Sequence, residues 1–401
     1  MLKLPHNWRI LAYAICGVKA VSIFVIPLIH TDFMNWIIST SQVVSFISTG
    51  HFPPISTFGV YLGTEIILTP FFWLWTILPI EHPHLHNLIN YTTPAISLVV
   101  LMKLPILISD IFTAIILTRL IKRITNSEKR CAIACLSWLA NPYNFYYLYV
   151  FGSMDVIPAT ILLIAVTLAW SQKLTRSGFT TAIGGLIRIY PLAALPFFLH
   201  LNKSMRERLL LITGSLFPLA CILVLLNAAA KGGTSSILSI PLTQYWLLEF
   251  LGGNISGGQL IILTPFLLST QLYVVFRFWR AEPNALHLAT VPILALLLAA
   301  TTYAGSSNHF IWISALLSAC VAIHPEEAWL FASTFIAAYL SPARYPFDLQ
   351  IVNQSRQILD NLLAGAFWAM KAIYLVRLNL WNTKAPLEPF RIVTTATSPK
   401  S

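Results

Sequence analysis

Charge is what this chain has least of. Only 10% of its 401 residues are Asp, Glu, Lys or Arg, whereas a soluble globular domain carries roughly 25%. There is too little charge to cover a water-facing globule of this size, and a polytopic membrane protein is the expectation. Acids are the scarcer sign, 14 against 25 Lys and Arg, for a net charge of +11. Cysteine is sparse as well. The five (Cys16, Cys131, Cys135, Cys221 and Cys320) all fall in apolar stretches. Cys131 and Cys135 are one helical turn apart, but no His or further Cys lies nearby to complete a metal set. They read as small buried hydrophobes. The first apolar run lacks an A-x-A-like cleavage site and is too long for a signal-peptide core, so it is expected to remain as a membrane span. Internal repeats, a separate soluble domain and nucleic-acid motifs are also lacking.

What is there is apolar sequence, 57% hydrophobic with a mean hydropathy of +0.74. A span needs about 20 apolar residues at 1.5 Å of rise each. Candidates are 9–29, 94–121, 131–150, 156–171, 209–230, 257–280, 285–304, 310–323, 328–340 and 361–380. The expectation is an all-α polytopic membrane protein of about 10–12 transmembrane or half-membrane helices, forming a single transmembrane domain over 1–401. Its membrane would be the plasma membrane of a prokaryote or the endoplasmic reticulum.

The basic residues fix the expected orientation. They sit in short tufts, "KRITNSEKR" (122–130), "QKLTR" (172–176), "NKSMRER" (202–208) and "RFWR" (277–280), the pattern of loops retained on the cytoplasmic side. With the N-terminus inside, Asp32 emerges outside, and 94–121 is the one span separating it from 122–130. That makes 33–92 a long external loop with interfacial helices, in which "TEIILTPFFWLWTILPI" lies in or dips into the interface. Segment 178–200 has basic tufts on both flanks, so it is expected to enter and return as two half-helices broken at Pro191 and Pro196. The tail 381–401 falls on the cytoplasmic side.

Few residues are left to carry chemistry. Asp32 ends the first span in "VIPLIHTDFMNW" and reads either as a solvated helix flank or as a general base under the long loop. Asp155, in "GSMDVIP", shares its side and reads as a helix cap, a site-lining acid, or both. Lys103 and Asp110 stand two turns apart within one span, where ionisable groups are costly and face the interior. Lys103 has the length to snorkel outwards, and Asp110 is suited to a polar contact between helices. Arg188 and Tyr190 fall at the expected break, near a polar cavity, and a guanidinium there suits a phosphate. His309, beside Asn308 at an external helix start, suits phosphate contact, acid–base steps or interfacial anchoring. "EHPHLHN" (81–87) reads as an interfacial loop rather than a metal site.

Taken in order, "HTDFMNW", "KLPILISDIFTAIILTRL", "LANPYNFYYLYVFGSMDVIPATILLIAV", "GGLIRIYPLAALP" and "SNHFIWISALL" resemble membrane-embedded glycosyltransferases of the GT-C class. They are most similar to the dolichyl-phosphate-mannose-dependent family related to GPI mannosyltransferase I. The resemblance runs from residue 30 to 317 and implies a GT-C-like fold. It also implies inverting transfer of a hexose, mannose in that family, from a polyprenyl or dolichyl phosphate to a lipid, glycan or protein acceptor on the external or lumenal face. Asp32 would be the catalytic base, with Arg188 and His309 on the donor phosphate. Asp155, Tyr190, Asn308, Lys103 and Asp110 would line the site. Many such enzymes carry D-x-D in the first external loop; here Asp32 is followed by Phe33, Met34 and Asn35. One acid does not make a divalent-ion site, so no metal or other cofactor is assigned. Expected partners are the lipid-linked sugar and membrane lipid, with a small partner subunit also compatible and no nucleic acid. The competing readings are a secondary transporter, which also uses broken helices and intramembrane acids, and a non-catalytic subunit of the same fold.

Overall fold

The computed structural model describes residues 5–25, 31–49, 62–78, 95–171, 173–188, 190–201, 204–230, 310–340 and Ile373. The expected spans at 257–280, 285–304 and 361–380 and the loop at 81–87 lie outside these residues, Ile373 apart. The described residues are helical, with no strand among them. The helices are α1 (His6–Val25), α2 (Thr31–Thr49), α3 (Leu62–Ile77), α4 (Ile96–Thr125), α5 (Glu128–Leu139), α6 (Val156–Trp170), α7 (Leu174–Ile187), α8 (Met205–Ala230), α9 (Ile311–Ile323) and α10 (Ala328–Leu340). By length and composition, α1 with 20 residues and α4 with 30 can cross a membrane.

Local sequence explains where these helices stop. Lys122 and Arg123 sit in the last turn of α4, where the helix dipole favours cations, and Asn126 closes it in the left-handed region at φ 48°. Ser127 then caps α5 by accepting from Arg130 N. The basic tuft is therefore a tight corner between two helices. α4 forms the axis of the assembly and packs against α1, α3, α5, α6 and α9.

The segment expected as one span over 131–150 is divided. α5 ends at Leu139, a short helix runs from Pro142 to Phe145, and a π-helical turn covers Tyr146–Val150. Pro142 has no N–H to continue α5 and instead starts the next turn, capped by Asn141 Oδ1 accepting from Tyr143 N at 3.0 Å. Gly152 follows at φ 80°, a backbone state that suits glycine. A Cβ added there would also lie 3.0 Å from the Phe33 ring.

Segment 178–200 breaks once. α7 ends at Ile187, Arg188 is extended, and Tyr190–Ala194 forms a 3-10 turn. Pro191 and Leu192 fold back against Gly184 and Gly185, where a side chain on either glycine would collide. Pro196 does not break the chain. It falls in the first turn of the short helix Leu195–Leu201, where a missing N–H costs nothing.

The basic corners gather at one end of the helices. Arg123 donates to Ser171 Oγ, residues 173–176 share a cleft with Ser204, Arg206, Glu207 and Leu210, and Arg130 acts electrostatically on Glu326 in the α9–α10 turn. The start of α2, the Gly152 turn and the Arg188 break meet away from that end.

Candidate functional site

The break after α7 leaves Arg188 in extended backbone. Its Nε donates to Asp155 Oδ1 at 2.8 Å, and its guanidinium carbon lies 5.6 Å from the centre of the Trp36 ring, a cation–π distance. The Tyr190 hydroxyl donates to the Asp155 backbone carbonyl at 3.2 Å. The Tyr190 ring stacks on Trp312 of α9, with centroids 4.5 Å apart and planes 13° from parallel. Asp155 does stand at the start of α6, yet its carboxylate makes no cap hydrogen bond. It faces Arg188 instead, because a guanidinium donor is worth more to a buried carboxylate than a neutral amide.

Asp32 occupies the first turn of α2. Trp36, four residues later and about 6 Å along the axis, is the residue under Arg188. Phe33, the neighbour of Asp32, is fully buried against Gly152 and lies 5.9 Å beneath Lys103 Nζ. Asn308 and His309 lie outside the described residues. Phe310 is buried, however, and makes ring contacts with Tyr143 and Phe335.

Lys103 does not snorkel. It is fully buried and donates to the Tyr149 carbonyl at 2.8 Å. Asp110 forms a separate contact: its Oδ2 accepts from Lys19 Nζ at 2.7 Å and from the Tyr149 hydroxyl at 2.6 Å. Although they share a helix, Lys103 and Asp110 meet only through the two ends of Tyr149. The outward route for Lys103 is closed by Phe33, and a carbonyl dipole takes the ammonium instead.

The sequence reading passed over Glu65. It lies on α3 in line with Leu68, Phe72 and Trp75, the 3–4–3 spacing of one helical face, and all four are closed to solvent. Neither carboxylate oxygen has a hydrogen-bond partner outside its own residue, and Arg188 is the charge that acts on it. Gly63 holds α3 in place: a Cβ there would come 2.6 Å from the Leu186 carbonyl, so the two backbones touch. The clue was present in "TEIILTPFFWLW", a single acid at a core position of an otherwise apolar helix.

The site therefore holds one guanidinium fixed by one acid and a second buried acid with no hydrogen-bond partner outside its own residue among the described residues; Asp32 belongs to the helix that carries Trp36. Trp36 lies under the cation, and the stacked Tyr190–Trp312 pair is tied to the backbone of Asp155, the cation's partner. An anionic group met by Arg188 and a hydroxyl-bearing group met by the carboxylates are what such an arrangement can bind. No protein-family model matches the chain, and no curated protein matches it.

Proposed function

We propose that the chain is a multi-pass membrane glycosyltransferase of GT-C type, transferring a hexose from a polyprenyl phosphate to an acceptor on the external or lumenal face. The observation carrying this reading is that Arg188, fixed by Asp155, lies over Trp36 one turn along α2 from Asp32. A cation for a phosphate and an acid for a hydroxyl thus belong to adjoining elements. Multi-pass insertion is supported by the outer surface of the helices. Ile10, Leu11, Val18, Val21, Phe24 and Val25 of α1 are all exposed, as are Ile66, Trp73, Leu74 and Ile77 of α3. Contiguous apolar surface of that extent suits hydrocarbon, not water.

In the proposed reaction the acceptor hydroxyl gives its proton to Asp32 as its oxygen bonds to the anomeric carbon. The bond from that carbon to the phosphate oxygen breaks, its electron pair leaving with the polyprenyl phosphate. Arg188, with His309, meets the charge that develops on the phosphate. A phosphate of this kind leaves without a general acid, and a single displacement inverts the anomeric centre. Asp155 positions the guanidinium, and Tyr190 with Trp312 walls the break. The polyprenyl tail stays in lipid.

The test is transfer of labelled hexose from a polyprenyl phosphate by the purified chain in liposomes, with Asp32→Asn and Arg188→Ala beside it. Both variants are expected to lose at least 100-fold, in the range of a lost acid–base or charge-stabilising group. Undiminished transfer by Asp32→Asn removes Asp32 from the role; no transfer by the native chain from any polyprenyl-linked hexose overturns the reading. The buried Lys19–Asp110–Tyr149 contact favours a secondary transporter as the second reading, since intramembrane ionisable groups also mark ion paths. Uptake of labelled solute into liposomes free of lipid-linked sugar would establish it.

A further inference from the structure

Glu65 is an anomaly on stability grounds alone. A carboxyl group buried with no donor outside its own residue has a cost either way, as a desolvated charge or as a group driven to its neutral form, and a Leu at that core position would cost nothing. The backbone gives it no room to withdraw, because Gly63 presses α3 against the Leu186 carbonyl, two residues before Arg188. The same helix is held at its far end, where Trp75 Nε1 donates to Ser97 Oγ at 3.1 Å. The acid is thus held and buried, with no partner outside its own residue among the described residues, and within electrostatic reach of Arg188. Asp155 already supplies the carboxylate that Arg188 needs, so charge balance for Arg188 does not explain a second one.

What Glu65 requires is a hydrogen-bond donor brought by a ligand. A polyprenyl-phosphate sugar has three parts. Its hydrocarbon offers no donor, and its phosphate is the part that Arg188 meets. Only the sugar presents O–H groups, and adjacent ring hydroxyls match the two oxygens of a carboxylate. Among the described residues no third acid, imidazole or thiol gathers to make a metal set. We propose that Glu65 is the sugar-contact residue, its carboxylate accepting hydrogen bonds from ring hydroxyls of the donor hexose held beside Arg188. This rests on the transferase reading above and adds to it the part of the substrate that is recognised.

The experiment compares the native chain with Glu65→Gln in liposomes, using polyprenyl-phosphate hexose and its mono-deoxy analogues at each ring position. A hydrogen bond to a charged group is worth about 10- to 100-fold in kcat/KM. The native chain is expected to lose that factor on one or two deoxy donors. Glu65→Gln should lose a similar factor on the full hexose and little more on those same donors. Losses that multiply at every ring position, or a Glu65→Gln chain that transfers as the native one does, overturn the assignment while leaving the transferase reading intact. A native chain inactive with every polyprenyl-linked hexose overturns both. A thermal melt separates a contact role from a structural one. Glu65→Leu, which removes an unpartnered buried acid, should melt at the same or a higher temperature. A lower melting point makes Glu65 a packing residue and ends the proposal.

Discussion

Lys19 Nζ lies 2.7 Å from Asp110 Oδ2, and both side chains are closed to solvent. The pair joins α1 to α4 across 91 positions of sequence. The Tyr149 hydroxyl donates to the same oxygen, and the indole of Trp138 donates to the Asp110 backbone carbonyl at 3.1 Å. Three other segments of chain therefore converge on one aspartate, and the contact decides how the first helix registers on the central one.

Breaking that pair from one side leaves a buried charge uncompensated. Lys19→Met is expected to cost about 3–5 kcal/mol, read as a fall in the thermal midpoint of the detergent-solubilised chain. Removing both charges, as Lys19→Met with Asp110→Leu, should recover most of the loss, because the remaining cost is one of shape. A single variant as stable as the native chain would mean that Lys19 reaches water.

The Asp155–Arg188 pair offers a test that separates holding the fold from doing chemistry. Asp155→Asn keeps the size of the side chain but weakens a charge-assisted hydrogen bond by about 1.5–3 kcal/mol. Transfer should fall about 10- to 100-fold with folding kept. Exchanging the residues, Asp155→Arg with Arg188→Asp, restores an ion pair but places the cation on α6. It is expected to regain stability without regaining transfer. If the exchange restores transfer, the position of the guanidinium does not matter and the phosphate role fails.

Two glycines predict opposite signs for the same substitution. Gly63→Ala drives a methyl into the Leu186 carbonyl at 2.6 Å, so α3 must move off α7. The cost should be about 1–3 kcal/mol, with reduced transfer because Glu65 moves with the helix. At Gly17, within α1, a Cβ meets nothing within 4 Å, and Gly17→Ala is expected to stabilise by roughly 0.5–1 kcal/mol through helix propensity. Melting curves of both variants check this. Destabilisation by Gly17→Ala would show that α1 is packed by something beyond the described residues.

Much of the scaffold was legible. Apolar runs locate α1, α4, α6, α8, α9 and α10 to within a few residues, because helix formation over such runs depends on local composition and spacing. Pro191 announced the break in 178–200 because a missing N–H acts wherever the chain goes, whereas Pro196 falls in a first helical turn and breaks nothing. The division of 131–150 was less legible, since the π-helical turn at Tyr146–Val150 follows from how its aromatic rings pack. Asp155, Arg188 and Tyr190 were each singled out in the sequence, but their hydrogen bonds to one another were not readable there. No local pattern marks Lys19 as the partner of Asp110, and Glu65 was passed over.

The sequence alone determined that this chain is helical and apolar, where its helices end, and which few polar residues it can use. Those properties depend on nearest neighbours, and the order of residues contains them. Tertiary structure decided the pairing: Lys19 with Asp110, Lys103 with the Tyr149 carbonyl, Asp155 with Arg188, and Glu65 with no donor outside its own residue among the described residues. A buried charge takes whichever partner the packing of distant helices brings within about 3 Å, and no local pattern along the chain encodes that distance.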